Sequence, residues 1–127
     1  MYKIVAFLLN LPWTVIGFLA AIISIPYETK INQRQLAIVC RVKSFWWATI
    51  LPAKKGVRGM ALGHVVILGP LERENDLEHE LIHVEQYIRE PLIHFFLYNV
   101  ELLRHGYRKN KYEVEAYKRA GNVYSET

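Results

Sequence analysis

Nine consecutive residues constrain this chain most: Glu78-His79-Glu80-Leu81-Ile82-His83-Val84-Glu85-Gln86. They contain the pattern His-Glu-x-x-His. Residues four apart sit one above the other on a helix. Two imidazoles at that separation can share one Zn²⁺, at about 2.0–2.1 Å from each nitrogen. Glu80, next to the first ligand, is placed to take a proton from a water at the metal. Two solvated histidines on a charged helix would give the same letters. The apolar residues argue against that reading, because Leu77, Leu81, Val84 and Ile88 recur at helical spacing and predict a stripe facing a core.

A catalytic zinc site usually has three protein ligands and one open position. The single cysteine, Cys40, rules out a thiolate cluster and an intrachain disulfide, so any metal must be held by His and carboxylate. One unpaired cysteine also fits a reducing compartment. The third ligand is expected from a helix over Asn110–Ala120, capped by Asn110 and closed by Gly121. It carries Glu113 and Glu115, whose side chains point about 200° apart, so at most one faces the metal. A helix over Leu92–Arg104, stopped by Gly106, would turn the chain back over the motif helix. Asn75 or Asp76 is expected to cap the motif helix, with Glu78 completing a capping box, and Pro91 to end or kink it.

The N-terminal part is of another kind. Ile4 to Ile25 is a run of 22 residues without a charge. About 20 apolar residues span a bilayer as a helix. Asn10, Pro12 and Thr14 interrupt the run, and Pro12 is expected to kink it. The run is too long for the apolar part of a signal peptide, and Ser24-Ile25-Pro26 is a poor cleavage context. It therefore predicts a retained single-pass anchor over residues 1–27, with one small domain, the part that carries the His-Glu-x-x-His motif, over 28–127. Lys30, Arg34, Arg41 and Lys43 follow the run and only Lys3 precedes it, which by the positive-inside rule puts the domain in the cytoplasm.

Between anchor and motif the pattern is that of strands. Leu36, Ile38, Cys40 and Val42 alternate with Arg41 and Lys43 over Gln35–Lys43. Ala48–Pro52 is a possible short strand, and Lys54–Gly59 a cationic, Gly-rich turn. Phe45-Trp46-Trp47 fits a membrane interface or a core equally well. Met60–Leu68 reads as one strand before the motif helix, placed to pair with an extended peptide, with Gly63 allowing another backbone to approach. His64 on it is expected to be satisfied within the sheet. The fold class is thus α+β, a small antiparallel sheet between an N-terminal helix and C-terminal helices. A net charge of +4 is too small to imply nucleic acid, and the basic turn Arg104–Lys111 comes with no recognition fold.

Three stretches carry a resemblance. Ala61–Leu68, His79–Gln86 and Glu113-Val114-Glu115-Ala116 are together similar to the gluzincin metallopeptidases, most of all to the small minigluzincins, over roughly Gln35 to Gly121. The resemblance implies a zincin-like fold in which an edge strand aligns a peptide substrate. It also implies Zn²⁺ held by His79, His83 and a glutamate three residues before the alanine, Glu113, with Glu80 as general base. Many members carry an aspartate four residues after that glutamate, where this chain has Tyr117.

The expectation is a membrane-anchored zinc metallopeptidase acting on peptides or proteins. Tyr112, Tyr117, His94 and His105 are candidates for steadying the oxyanion. Two other readings compete: a zinc-binding membrane protein without proteolysis, serving as an interaction module, and a membrane interaction protein with no metal.

Overall fold

A computed structural model describes residues 2–47 and 57–124. The expected strand at Ala48–Pro52 and the first half of the cationic turn, Lys54–Gly56, lie outside them. The uncharged run is not one helix. It forms α1 (Tyr2–Leu9) and α2 (Leu11–Ile23), which meet at Asn10 with a bend of 68°. Among the described residues no single helix is long and apolar enough to cross a membrane, and only this bent pair has the length and composition together. Pro12 lies in the first turn of α2, where its missing N–H is tolerated, so the chain breaks just ahead of it.

Four strands follow: β1 (Pro26–Asn32), β2 (Ala37–Val42), β3 (Gly59–Leu62) and β4 (Val65–Leu68). Their order in the sheet is β1-β2-β4-β3. The outer pairs are antiparallel but β2 and β4 run parallel, so the sheet is mixed rather than antiparallel as expected. Met60–Leu68 is the source of the difference. It is a hairpin, turning at Gly63-His64, so β3 takes the edge and β4 returns beside β2 in the same direction. β1 had no strand signal, because it is an edge strand with Tyr27 and Ile31 exposed and shows no buried face to alternate against. The expected domain boundary at residue 27 falls inside it.

β4 is buried along its whole length, as a strand covered on both faces must be. Val66 and Leu68 face Leu81, Val84 and Ile88 of helix α3 (Asp76–Arg89), joined by Val39, Ala37 and Ala6 of α1. Val65 and Ile67 face the other way, to Cys40, Val42, Phe45 and Ala21 of α2. The sheet is therefore a middle layer, with α3 and α1 on one side and α2 on the other. The Asn10 bend carries the chain round the end of the sheet, at the β3–β4 turn. There Gly63, at φ +59°, lies so close to α2 that a Cβ would stand 2.5 Å from the Thr14 nitrogen. The close backbone approach expected at Gly63 is thus made by α2, and Thr14 Oγ1 accepts from the His64 N–H at 3.1 Å.

Helices α4 (His94–His105) and α5 (Lys111–Ala120) complete the chain, close to their expected limits. Asn110 caps α5 by accepting from the Tyr112 N–H at 2.9 Å, and Gly121 closes it in the left-handed region. The capping box on α3 does not form. Asn75 is itself left-handed, and the Asp76 carboxylate instead accepts from the Arg73 N–H and pairs with Arg58.

Candidate metal centre

α3 turns Leu77, Leu81, Val84 and Ile88 to the sheet, so His79 and His83 emerge together on another face. α5 packs across that face and brings Glu113 to both. Glu113 Oε1 lies 2.9 Å from His79 Nε2 and 3.1 Å from His83 Nε2, and the two nitrogens are 3.2 Å apart. All three side chains are buried, and together they form a group that can hold a metal ion. Two ligands each about 2.1 Å from a tetrahedral ion lie roughly 3.4 Å apart, close to this triangle.

The outer nitrogens of the imidazoles are also engaged. His83 Nδ1 meets Gln86 Oε1 at 2.7 Å, and His79 Nδ1 meets Asn122 Oδ1 at 3.1 Å. An amide oxygen only accepts, so each Nδ1 carries a proton, and once an imidazole is neutral its Nε2 turns a lone pair inward, which is what a metal ligand needs. Both amides are anchored in turn. Gln86 donates to the Tyr112 carbonyl and to Glu115, and Asn122 donates to Asp76 Oδ1 at 2.8 Å. Where the resemblance implies an aspartate, Tyr117 packs its ring edge-on against His79 at 4.2 Å.

Glu115 is turned away. It forms ion pairs with Arg89 and Arg119 and accepts from Gln86. Of the two glutamates on α5, Glu113 alone meets the histidines, as the resemblance implied.

Electrostatics follow from this packing. Burial alone would raise the Glu113 carboxyl, but the two imidazoles outweigh it and hold it well below the usual carboxylate range. Burial would likewise lower His83, but the Glu113 carboxylate outweighs it and holds the imidazole at about 9. Glu80 is pushed up by burial, with His83 and His79 opposing. A carboxylate raised in this way is a better proton acceptor near neutral pH.

A cavity of about 340 Å³ opens on this group. The edge strand β3 forms one wall, α4 forms another through Phe95, Tyr98 and Leu102, and Glu80, His83 and Glu113 lie at its base. Of the four residues expected to steady an oxyanion, His94 lines the cavity and is pulled by burial to about 4, hence neutral. Tyr112 donates to Glu90, Tyr117 shares a hydrogen bond with Tyr107, and His105 lies exposed at the far end of α4. Tyr98 was not foreseen. Its hydroxyl donates to Glu113 Oε2 and it lines the cavity. Its spacing of four from His94 was the available signal; Asn122, 43 residues from its histidine, offered none.

No family model matches the chain, and no curated protein or solved structure matches it significantly.

Proposed function

We propose that this protein is a zinc metallopeptidase held at a membrane. The observation that carries the reading is the buried triangle of His79, His83 and Glu113, with Glu80 beside it at the base of a cavity. The donor set of two imidazoles and one carboxylate suits zinc and leaves one tetrahedral position for water or substrate. When bound, zinc supplies Lewis acidity, polarising a carbonyl and acidifying a water. The remaining work falls to the chain. Glu80 takes the proton of the attacking water and passes it to the leaving amine. The outer edge of β3, unpaired by any strand among the described residues, pairs with an extended peptide and aligns its backbone. The Tyr98 hydroxyl lines the cavity beside Glu113, and its one O–H proton, given to Glu113 Oε2 in the free site, is redirected to the developing oxyanion.

The test joins metal content to turnover. Wild type is expected to hold about one zinc per chain and to cleave peptides. Glu80→Gln should keep the zinc and lose roughly a hundredfold or more in kcat. His79→Ala should lose the zinc. Zinc retained with the same weak or absent turnover in wild type and Glu80→Gln would favour the non-proteolytic zinc module. No zinc in wild type would remove the reading.

A further inference from the structure

The run Ile4–Ile25 contains three polar residues besides its tryptophan: Asn10, Thr14 and Ser24. All three are buried in the protein. The exposed side of α1 and α2 is made of large apolar side chains instead. This is the reverse of a helix that faces water. Between Ile4 and Ile25 this exposed face carries no hydrogen-bonding side chain, which also differs from a protein-binding patch, whose rim is polar.

The same feature extends beyond the run. Trp13 donates to the Leu92 carbonyl and stacks on Phe95 at 4.2 Å, which seats the start of α4 against the bend. Leu8, Leu9, Leu11, Leu92, Ile93 and Phe96 are all exposed around this elbow. The charges lie at the far ends of its two arms. Lys3 opens α1 and donates to the Arg34 carbonyl, and Lys43, just past β2, lies beside the end of α2, its N–H donating to the Ile25 carbonyl at 3.0 Å. Trp46, exposed at that same end, donates to the Ile23 carbonyl. Cations and a tryptophan at the ends of the two arms, with exposed apolar side chains between them, match a headgroup layer and the acyl chains beneath it.

We propose that the α1–α2 elbow enters one leaflet of an anionic bilayer and returns, with both arms ending on the same side, rather than crossing. Lengths agree. Arms of 8 and 13 residues are about 12 and 20 Å long, and with the 68° bend between them an elbow whose two ends lie level reaches only about 8 Å below those ends, well inside one leaflet of a hydrocarbon core of about 30 Å. The opposite sides of both arms are committed to the sheet and α3, so the pair cannot straighten into a span without giving up that packing. The inference deepens the membrane attachment proposed above and does not depend on hydrolysis.

The test uses the full chain, purified in mild detergent and added to preformed phosphatidylcholine vesicles with or without phosphatidylglycerol. Three single-cysteine variants are made in a Cys40→Ala background: Lys3→Cys, Leu9→Cys and Lys43→Cys. The chain should float with the vesicles, more tightly when phosphatidylglycerol is present. A membrane-impermeant maleimide added outside should modify positions 3 and 43 alike. A fluorophore at position 9 should be quenched by acyl-chain nitroxides, and one at position 3 or 43 by headgroup nitroxides. Ile16→Glu with Leu19→Glu, both on the exposed side, should weaken vesicle binding roughly tenfold or more while zinc content is kept. Protection of position 3 until the vesicles are lysed would mean a crossing helix and overturn the inference while leaving attachment intact. Failure to float, with a discrete dimer in solution, would mean that a second copy covers the face, and would overturn both.

Discussion

At the scale of single residues, the two amides behind the histidines carry the most testable claim. Gln86 and Asn122 fix which imidazole nitrogen is free, and neither points at the metal position itself. Removing such a partner usually weakens metal binding by about 10–100-fold. Gln86→Leu and Asn122→Ala should each do so, read by competition with a zinc indicator, while Glu115→Gln should leave affinity near that of wild type. Proton linkage gives a second claim. His83, ordinarily near 6.5, is held at about 9 in the metal-free protein by the Glu113 carboxylate. Its contribution to metal-free stability is therefore complete below about 6.5 and lost as pH rises through about 9. Zinc needs the neutral imidazole, so its apparent affinity should rise with pH across that window, by up to roughly tenfold per unit. Melting curves with and without zinc should thus diverge as pH rises. Parallel curves would mean that His83 does not bind the metal. His79, His83 and Glu80 were legible because one helical spacing encodes all three. Glu113 could be separated from Glu115 only by resemblance, since both sit on the same helix and only tertiary packing tells which way it is rolled. Tyr98 and Asn122 reach the site from other parts of the fold, and no local pattern marks such contacts.

At the scale of elements, helices with a buried stripe were legible and the sheet was only partly so. The Leu77–Leu81–Val84–Ile88 stripe packs on the sheet as its period implied. The Met60–Leu68 run hid a hairpin, because its turn residues Gly63 and His64 are buried rather than exposed. Gly63 is where the arrangement of elements is most sensitive. Gly63→Ala would place a methyl 2.5 Å from the Thr14 nitrogen at a positive φ. Strain and overlap together should cost roughly 2–4 kcal/mol, read by denaturant unfolding. The α3–α5 contact has its own signature. Glu115 is depressed to about 2, first by its hydrogen bonds from Arg89, with Gln86 and Arg119 adding. A depressed carboxylate stabilises above its ordinary 4.5 and loses that contribution as pH falls toward 2. Glu115→Gln should therefore flatten the acid limb of the stability profile over that range while leaving zinc bound at neutral pH.

At the scale of the whole molecule, the question is whether the N-terminal helices are an attachment or a structural part. Hydropathy measures how apolar a segment is and not which side of it faces what, so an uncharged run reads as an anchor whether or not half of it is core. The visible marks of the second role were Asn10, Pro12 and Thr14, and each proves structural. Asn10 is the most telling. Fully buried at the bend, its amide donates to the Tyr87 carbonyl at 3.0 Å and lies 3.2 Å from His64 Nε2, while its oxygen accepts from the Leu92 N–H at 2.8 Å. One side chain thus ties the α1–α2 break to the end of α3, the β3–β4 turn and the entry to α4. Each buried polar partner left unmet costs about 1–3 kcal/mol. Asn10→Ala should therefore destabilise the entire chain by at least about 2 kcal/mol, in one transition reported alike by helix content and by zinc release. An independent anchor would behave otherwise: the variant would then leave the unfolding of the metal-binding part and its zinc midpoint where they are in wild type. Unfolding in a mild detergent that holds the chain in solution, followed by both signals, separates the two, because α3 carries His79 and His83 and also receives the Asn10 hydrogen bond one turn beyond His83.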